Sequence, residues 1–171
     1  MRFILLGLLL VTTSFGNHKL PPFNLAAFKC HLDNIYHESR GLDDEETEAI
    51  IAVVDNRKKV FKKTDCEIIY QPYQFSWTMR KSHIREKELY AALGMRLATR
   101  FGRSEAQRGR DGGRHVTGNV VHLPKAFLSA THYHAVGVNP GWAKKLVRIG
   151  RIRNHIFYRS EAWTKKAISA S

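Results

Sequence analysis

Glu38 stands between His37 and Arg40, a single carboxyl flanked by groups that would tune its affinity for a proton. A carboxyl so placed can give and take protons, and the same surroundings equally suit a solvated helix end. His132 and His134 form an H-x-H pair that a strand would turn to one face. With His37, His115, His122 or His155 they offer a possible zinc set, although no H-E-x-x-H pattern accompanies them. Cys30 and Cys66 match no zinc-ribbon spacing.

The elements that must carry these residues follow from periodicity. After Pro21 and Pro22, Leu25, Phe28, Leu32, Ile35 and Tyr36 recur at helical intervals, and Gly41 falls where a helix would stop. Glu38 therefore belongs in a last helical turn, whose negative pole disfavours a carboxylate. Partial burial by Tyr36 and by aromatic residues elsewhere in the chain would raise its pKa further, and Arg40 would oppose the shift. Asp43 and Asp44 open a second helix, with Glu46 placed to complete a capping box and Ile50, Val53 and Val54 as one apolar stripe. Lys58 to Lys63 read as a solvated end.

A third helix is expected from Ile84 to Arg100 around Leu89, Ala92, Leu93 and Leu97. The stretch from Gly102 to Gly113 reads as a loop. Its arginines and their neighbours (Arg100, Arg103, Arg108, Arg110, Arg114) either touch an anionic substrate or are simply solvated. Strands are expected at Val116 to Leu123, Ala130 to His134 and Ile156 to Tyr158, and a short helix at Trp142 to Val147. The fold class is α+β.

A chain of 171 residues that is 43% hydrophobic supports one substantial core and not two large domains. Lys and Arg number 28 against 15 Asp and Glu, a net charge of +13 that points to a polyanionic partner. Nucleic acid, anionic lipid and the acidic polymers of a bacterial wall all qualify on charge. Met1 and Arg2 followed by apolar Phe3 to Val11 and small Ser14 and Gly16 read as a signal peptide, residues 1–16, ahead of a catalytic domain at 17–171. The run falls short of the about 20 residues that span a bilayer, so no stable membrane anchor is expected. Export separates the chain from most nucleic acid and admits a disulfide, favoured over two buried thiols for Cys30 and Cys66.

Ile35-Tyr36-His37-Glu38-Ser39-Arg40-Gly41 resembles the I-Y-x-E-A-R-G signature of the SleB-type cell wall hydrolases, a family that includes spore cortex-lytic enzymes and phage lysins. Four further segments follow in the family's order: Ala49 to Arg57; Tyr70-Gln71-Pro72 with Gln74-Phe75-Ser76-Trp77; Ala130 to Ala135; and Pro140-Gly141-Trp142-Ala143 with His155 to Arg159. The two cysteines also fall where many members carry a pair. The resemblance implies a mainly helical domain with a small β-element, similar in core to lytic transglycosylases, and makes Glu38 the catalytic residue. Ser39, where the family usually has Ala, should leave it undisturbed.

On the same resemblance Gln74, Ser76, Trp77, Thr131, Tyr133 and Trp142 are the expected substrate-binding residues, supplying hydrogen bonds and flat apolar faces to sugar rings. Phe75 and Phe157 are expected in the core. The implied activity is cleavage of peptidoglycan between its amino sugars, by transglycosylation with one carboxylate and no cofactor or metal. Hydrolysis would call for a second carboxylate, for which Asp111 is a poor candidate. The expected partners are glycan strands and anionic wall polymers, met after export in the periplasm, in the cell wall or outside the cell, by a monomer. Two other readings compete: a zinc amidase built on the histidines, and a non-enzymatic wall or membrane binder using Lys144, Lys145, Arg148, Arg151 and Arg153 around Trp142.

Overall fold

The computed structural model describes residues 23–40, 43–72, 74–79, 83–101, 114–115, 120–121 and 123–168. The expected signal peptide, the arginine-rich loop with Asp111, and His122 lie outside the described residues. Helix α1 spans Leu25–Glu38, its first turn capped by Asn24, whose side chain accepts from the Ala27 amide at 2.9 Å. α2 spans Asp44–Phe61, α3 Asp65–Ile69, α4 Lys87–Phe101 and α5 Glu161–Ile168. Strands β1 (Arg114–His115) and β2 (Val120–Val121) make a short antiparallel pair. β3 (His132–Ala135), β4 (Val147–Ile152) and β5 (His155–Arg159) form an antiparallel sheet ordered β3-β5-β4. The architecture is α+β, as expected.

α2 departs from the single apolar stripe read in its sequence. Glu46 through Val54 are all buried, because the helix runs through the middle of the molecule and is covered on every side. Ala49, Ile50, Ala52 and Val53 pack with Phe127, Ile152 and Phe157 beneath the sheet. Ile51 meets Leu32, Ile35, Leu93 and Leu97 of α1 and α4, while Val54 meets Cys30, Ile68 and Ile69. A buried helix needs no polar face, so periodicity understates it.

Other differences are local. The expected Trp142 to Val147 helix is a 3-10 turn, Gly141–Lys145, and Val147 already begins β4. β4 lacks clean alternation because its register shifts between Arg148 and Gly150. α3 is held by a capping box between Thr64 and Glu67 that the sequence reading passed over. Among the described residues no helix is long and apolar enough to cross a membrane.

Cys30 and Cys66 are bridged, tying α1 to α3 across 36 residues of sequence. Closing a loop of that length restricts the unfolded chain enough to add about 3–4 kcal/mol. Urea unfolding with and without a reductant should show this difference. An unchanged midpoint after complete reduction would contradict it.

Candidate active site

α1 delivers Glu38 as its final residue, and the chain turns away through Arg40 in a left-handed conformation with φ 51°. The Glu38 side chain is 13% exposed. His155 Nε2 lies 4.0 Å from Glu38 Oε2, and His155 Nδ1 lies 2.9 Å from Glu46 Oε1. The Asn154 amide donates to the same Glu46 oxygen at 2.8 Å. That oxygen is thus an acceptor, so His155 donates through Nδ1 and presents Nε2 to Glu38.

Burial pushes the Glu38 carboxyl above the ordinary carboxylate range, and His155 and the Tyr133 hydroxyl hold part of that rise back. Arg40, expected to do so, instead pairs with Glu86 at 2.9 Å on the surface. The left-handed step after Ser39 turns its side chain outward. Tyr36, expected to bury Glu38, packs toward α4 and accepts hydrogen bonds from the Arg85 and Glu86 amides.

His155 reaches the site because it is the first residue of β5, on the same sheet face as Phe157. The β4–β5 turn is fastened to the start of α2 by Arg153 Nε donating to Asp43 Oδ2 at 2.8 Å. Glu46 performs only half of the capping expected of it. Its amide is bonded by the Asp43 side chain at 2.8 Å, yet its own carboxyl points inward. The buried His155 ring and Asn154 amide need an acceptor there more than the helix end does.

Tyr133 is the one expected substrate-binding residue set directly against Glu38. Burial and the Glu38 charge push its phenol well above its usual range. Its hydroxyl is turned toward the Glu38 carboxyl, short of full hydrogen-bond geometry, and meets no other partner among the described residues. Removing this hydroxyl removes a group that favours the ionised carboxyl. Tyr133→Phe should therefore shift the alkaline limb of the kcat/KM profile to higher pH, and a downward shift would exclude the arrangement.

The other expected site residues divide. Trp77 stacks on His37 at 4.6 Å and donates to Asn34 Oδ1 at 3.1 Å, giving a flat wall beside the residue before Glu38. Ser76 is exposed on the same 3-10 turn, Ser76–Met79. Gln74 and Thr131 are joined instead to Arg57, whose Nη1 donates to Gln74 Oε1 and whose Nε donates to the Thr131 carbonyl at 2.8 Å. Burial pushes this guanidinium down to about 10. Thr131 Oγ also accepts from the Ser160 amide at 2.8 Å, so it serves as a structural junction. Trp142 is not brought to Glu38: its ring packs on His132, His134 and Tyr158, the face opposite Tyr133. Phe75 and Phe157 lie in the core as expected.

Among the described residues, His132 and His134 face away from His155 across the sheet. Among the described residues, metal-ligand spacing occurs at His31, Asp55 and Asp65, whose ligand atoms lie within 4.8 Å of one another. There His31 Nε2 is bonded to Asp65 at 2.8 Å and Lys58 Nζ lies 2.7 Å from its other oxygen. Burial alone would raise the Asp65 carboxyl, and these two partners outweigh it, holding it far below its usual range.

Sequence reasoning missed Glu46 and Arg57 as parts of the site's frame. The signal was present in the His155, Phe157 alternation, which puts a histidine on a buried face that must supply it with a partner.

A family model described as Cell Wall Hydrolase matches residues 41–158. No curated protein and no solved structure matches the chain. The matched stretch takes in Glu46, Arg57, Gln74, Tyr133 and His155, and begins three residues after Glu38. With well over half of its length matched, the chain belongs to the cell wall hydrolase family.

Proposed function

We propose that this hydrolase cuts the glycan strand of peptidoglycan by lytic transglycosylation, with Glu38 as its single acid and base. The observation that carries the reading is the enclosed carboxyl at the end of α1, its acid form favoured by burial. As the acid, Glu38 gives its proton to the glycosidic oxygen and the bond to muramic C1 breaks. As the carboxylate, it then takes the proton of the muramic 6-hydroxyl, whose oxygen closes on C1 as an anhydro ring. The proton count balances and no water enters.

A second, water-activating carboxylate is the requirement that hydrolysis would add. Glu46, linked to Glu38 through His155, is engaged by the His155 ring and the Asn154 amide and is poorly placed to activate water. Trp77 and Tyr133 are the candidate sugar contacts nearest to Glu38. We read the basic start and apolar run of residues 1–16 as the export signal that brings a monomeric enzyme to the wall.

Mass spectrometry of products released from purified peptidoglycan tests the reading. Anhydro-muramic ends, lighter by one water than hydrolytic ends, are expected, with activity unchanged by chelators. Reducing ends would replace transglycosylation by hydrolysis. Free peptide stems with intact glycan and chelator sensitivity would replace it by a zinc amidase.

A further inference from the structure

The sheet has two faces of different character. Tyr133, His155 and Phe157 point toward α2 and Glu38. The other face is built from two cross-strand rows set by the register, His132 with Tyr158 and Arg148, and His134 with Ile156 and Arg151. Trp142 lies over it, with ring centroids 5.3 Å from His132, 5.7 Å from His134 and 5.5 Å from Tyr158, and remains 36% exposed.

Arg148 and Arg151 are exposed, as are Lys144 and Lys145 on the turn that carries Trp142. Among the described residues, none of these four cations is paired with a carboxylate. Burial and the neighbouring Arg57 push His132 down to about 4, so at neutral pH its ring can hydrogen-bond hydroxyls without adding charge.

We propose that this outer face is a second docking site, distinct from the surroundings of Glu38, for a carboxylate-bearing glycan strand of the wall. The assignment rests on the wall-directed reading of the chain. The exposed Trp142 indole offers a stacking surface for a sugar, and His132 keeps Nε2 beside it while its Nδ1 meets Thr131 Oγ. The exposed arginines and lysines, paired with no carboxylate among the described residues, offer partners for the strand's carboxylates. A lipid surface fits less well, because membrane binding draws on a broad apolar face sunk below the headgroups, and here four exposed cations, Lys144, Lys145, Arg148 and Arg151, interrupt the apolar side chains around Trp142. Holding a strand on the side of the sheet away from Glu38 keeps the enzyme on its insoluble substrate between cuts.

The test measures retention of Glu38→Gln protein on purified sacculi, a readout that needs no cleavage. Adding Trp142→Ala and Arg148→Ala is expected to weaken retention about tenfold, equivalent to about 1.4 kcal/mol. Removing the same charge or more elsewhere, with Lys59→Ala and Lys63→Ala, should change it less than about twofold, as screened surface charges do. Arg148→Glu alone provides the measurement if Trp142→Ala does not fold.

Equal losses from the two pairs would mean general charge attraction and overturn the site, as would no loss from either. Trp142-dependent binding to phosphatidylglycerol vesicles stronger than to sacculi would reassign the face to a membrane. A native chain that releases no glycan product would sink the proposed reaction while leaving this binding result to stand or fall by itself.

Discussion

Glu38→Gln is expected to fold normally and to lose about 100-fold to 10,000-fold of its glycan-cleaving rate, the usual worth of general acid or base assistance. Gln keeps the volume of Glu and can still meet the Tyr133 hydroxyl, so substrate binding should survive while proton transfer does not. Stability supplies a second readout of known sign. Burial raises the folded-state pKa of Glu38, so the carboxyl disfavours folding once pH exceeds its unfolded value. At neutral pH the Gln variant should therefore melt no lower than the native chain, and any gain should vanish as pH falls below the ordinary carboxylate range. A variant that keeps more than a tenth of the native rate would remove Glu38 from the chemistry.

Glu46→Ala is expected to cost about 3–5 kcal/mol of stability and most of the activity. One Glu46 oxygen accepts from both the Asn154 amide and His155 Nδ1, and the residue is 1% exposed. Deleting the acceptor leaves the buried His155 Nδ1 donor unmet, at about 1–3 kcal/mol, and the partly buried Asn154 amide at less, together with a cavity where the carboxyl lay. For a chain of this size the melting temperature should fall by about 10 °C. Glu46→Gln retains an acceptor oxygen and should recover most of the stability. If Glu46→Ala melts like the native chain and keeps its pH profile, His155 is held by something other than Glu46.

What the sequence made legible was local. The α1 spacing located Glu38 at a helix end, and the structure ends α1 there. The Cys30 and Cys66 pair, the α4 face and the strand segments around His132 and Phe157 were likewise visible as short patterns. The groups that set the proton affinity of Glu38 were not, because His155 and Tyr133 come from strands far along the chain. Arg40 looked influential for being two residues away, and one left-handed step sends it to Glu86. Trp142 fell in a motif that suggested a sugar groove, while strand alternation decides which side of the sheet it covers. Sequence distance is a poor guide to such choices, since register, turn geometry and burial make them only after the sheet has docked.

The clasp between the start of α2 and the β4–β5 turn joins residues 108 to 110 positions apart in sequence, through Asn154, His155 and Arg153. Contacts of such high order form late, because the long loop they close must first be drawn in. Helices α1 and α2 emerge early during synthesis, and Glu38 with them, but the strand that encloses its carboxyl follows much later. An unfinished or unfolded chain thus holds Glu38 without the burial that raises its pKa. Only with the β4–β5 hairpin closed on α2 does the Glu38 carboxyl gain its enclosure by Tyr133 and His155, so under the proposed reaction cleavage waits on that long-range closure.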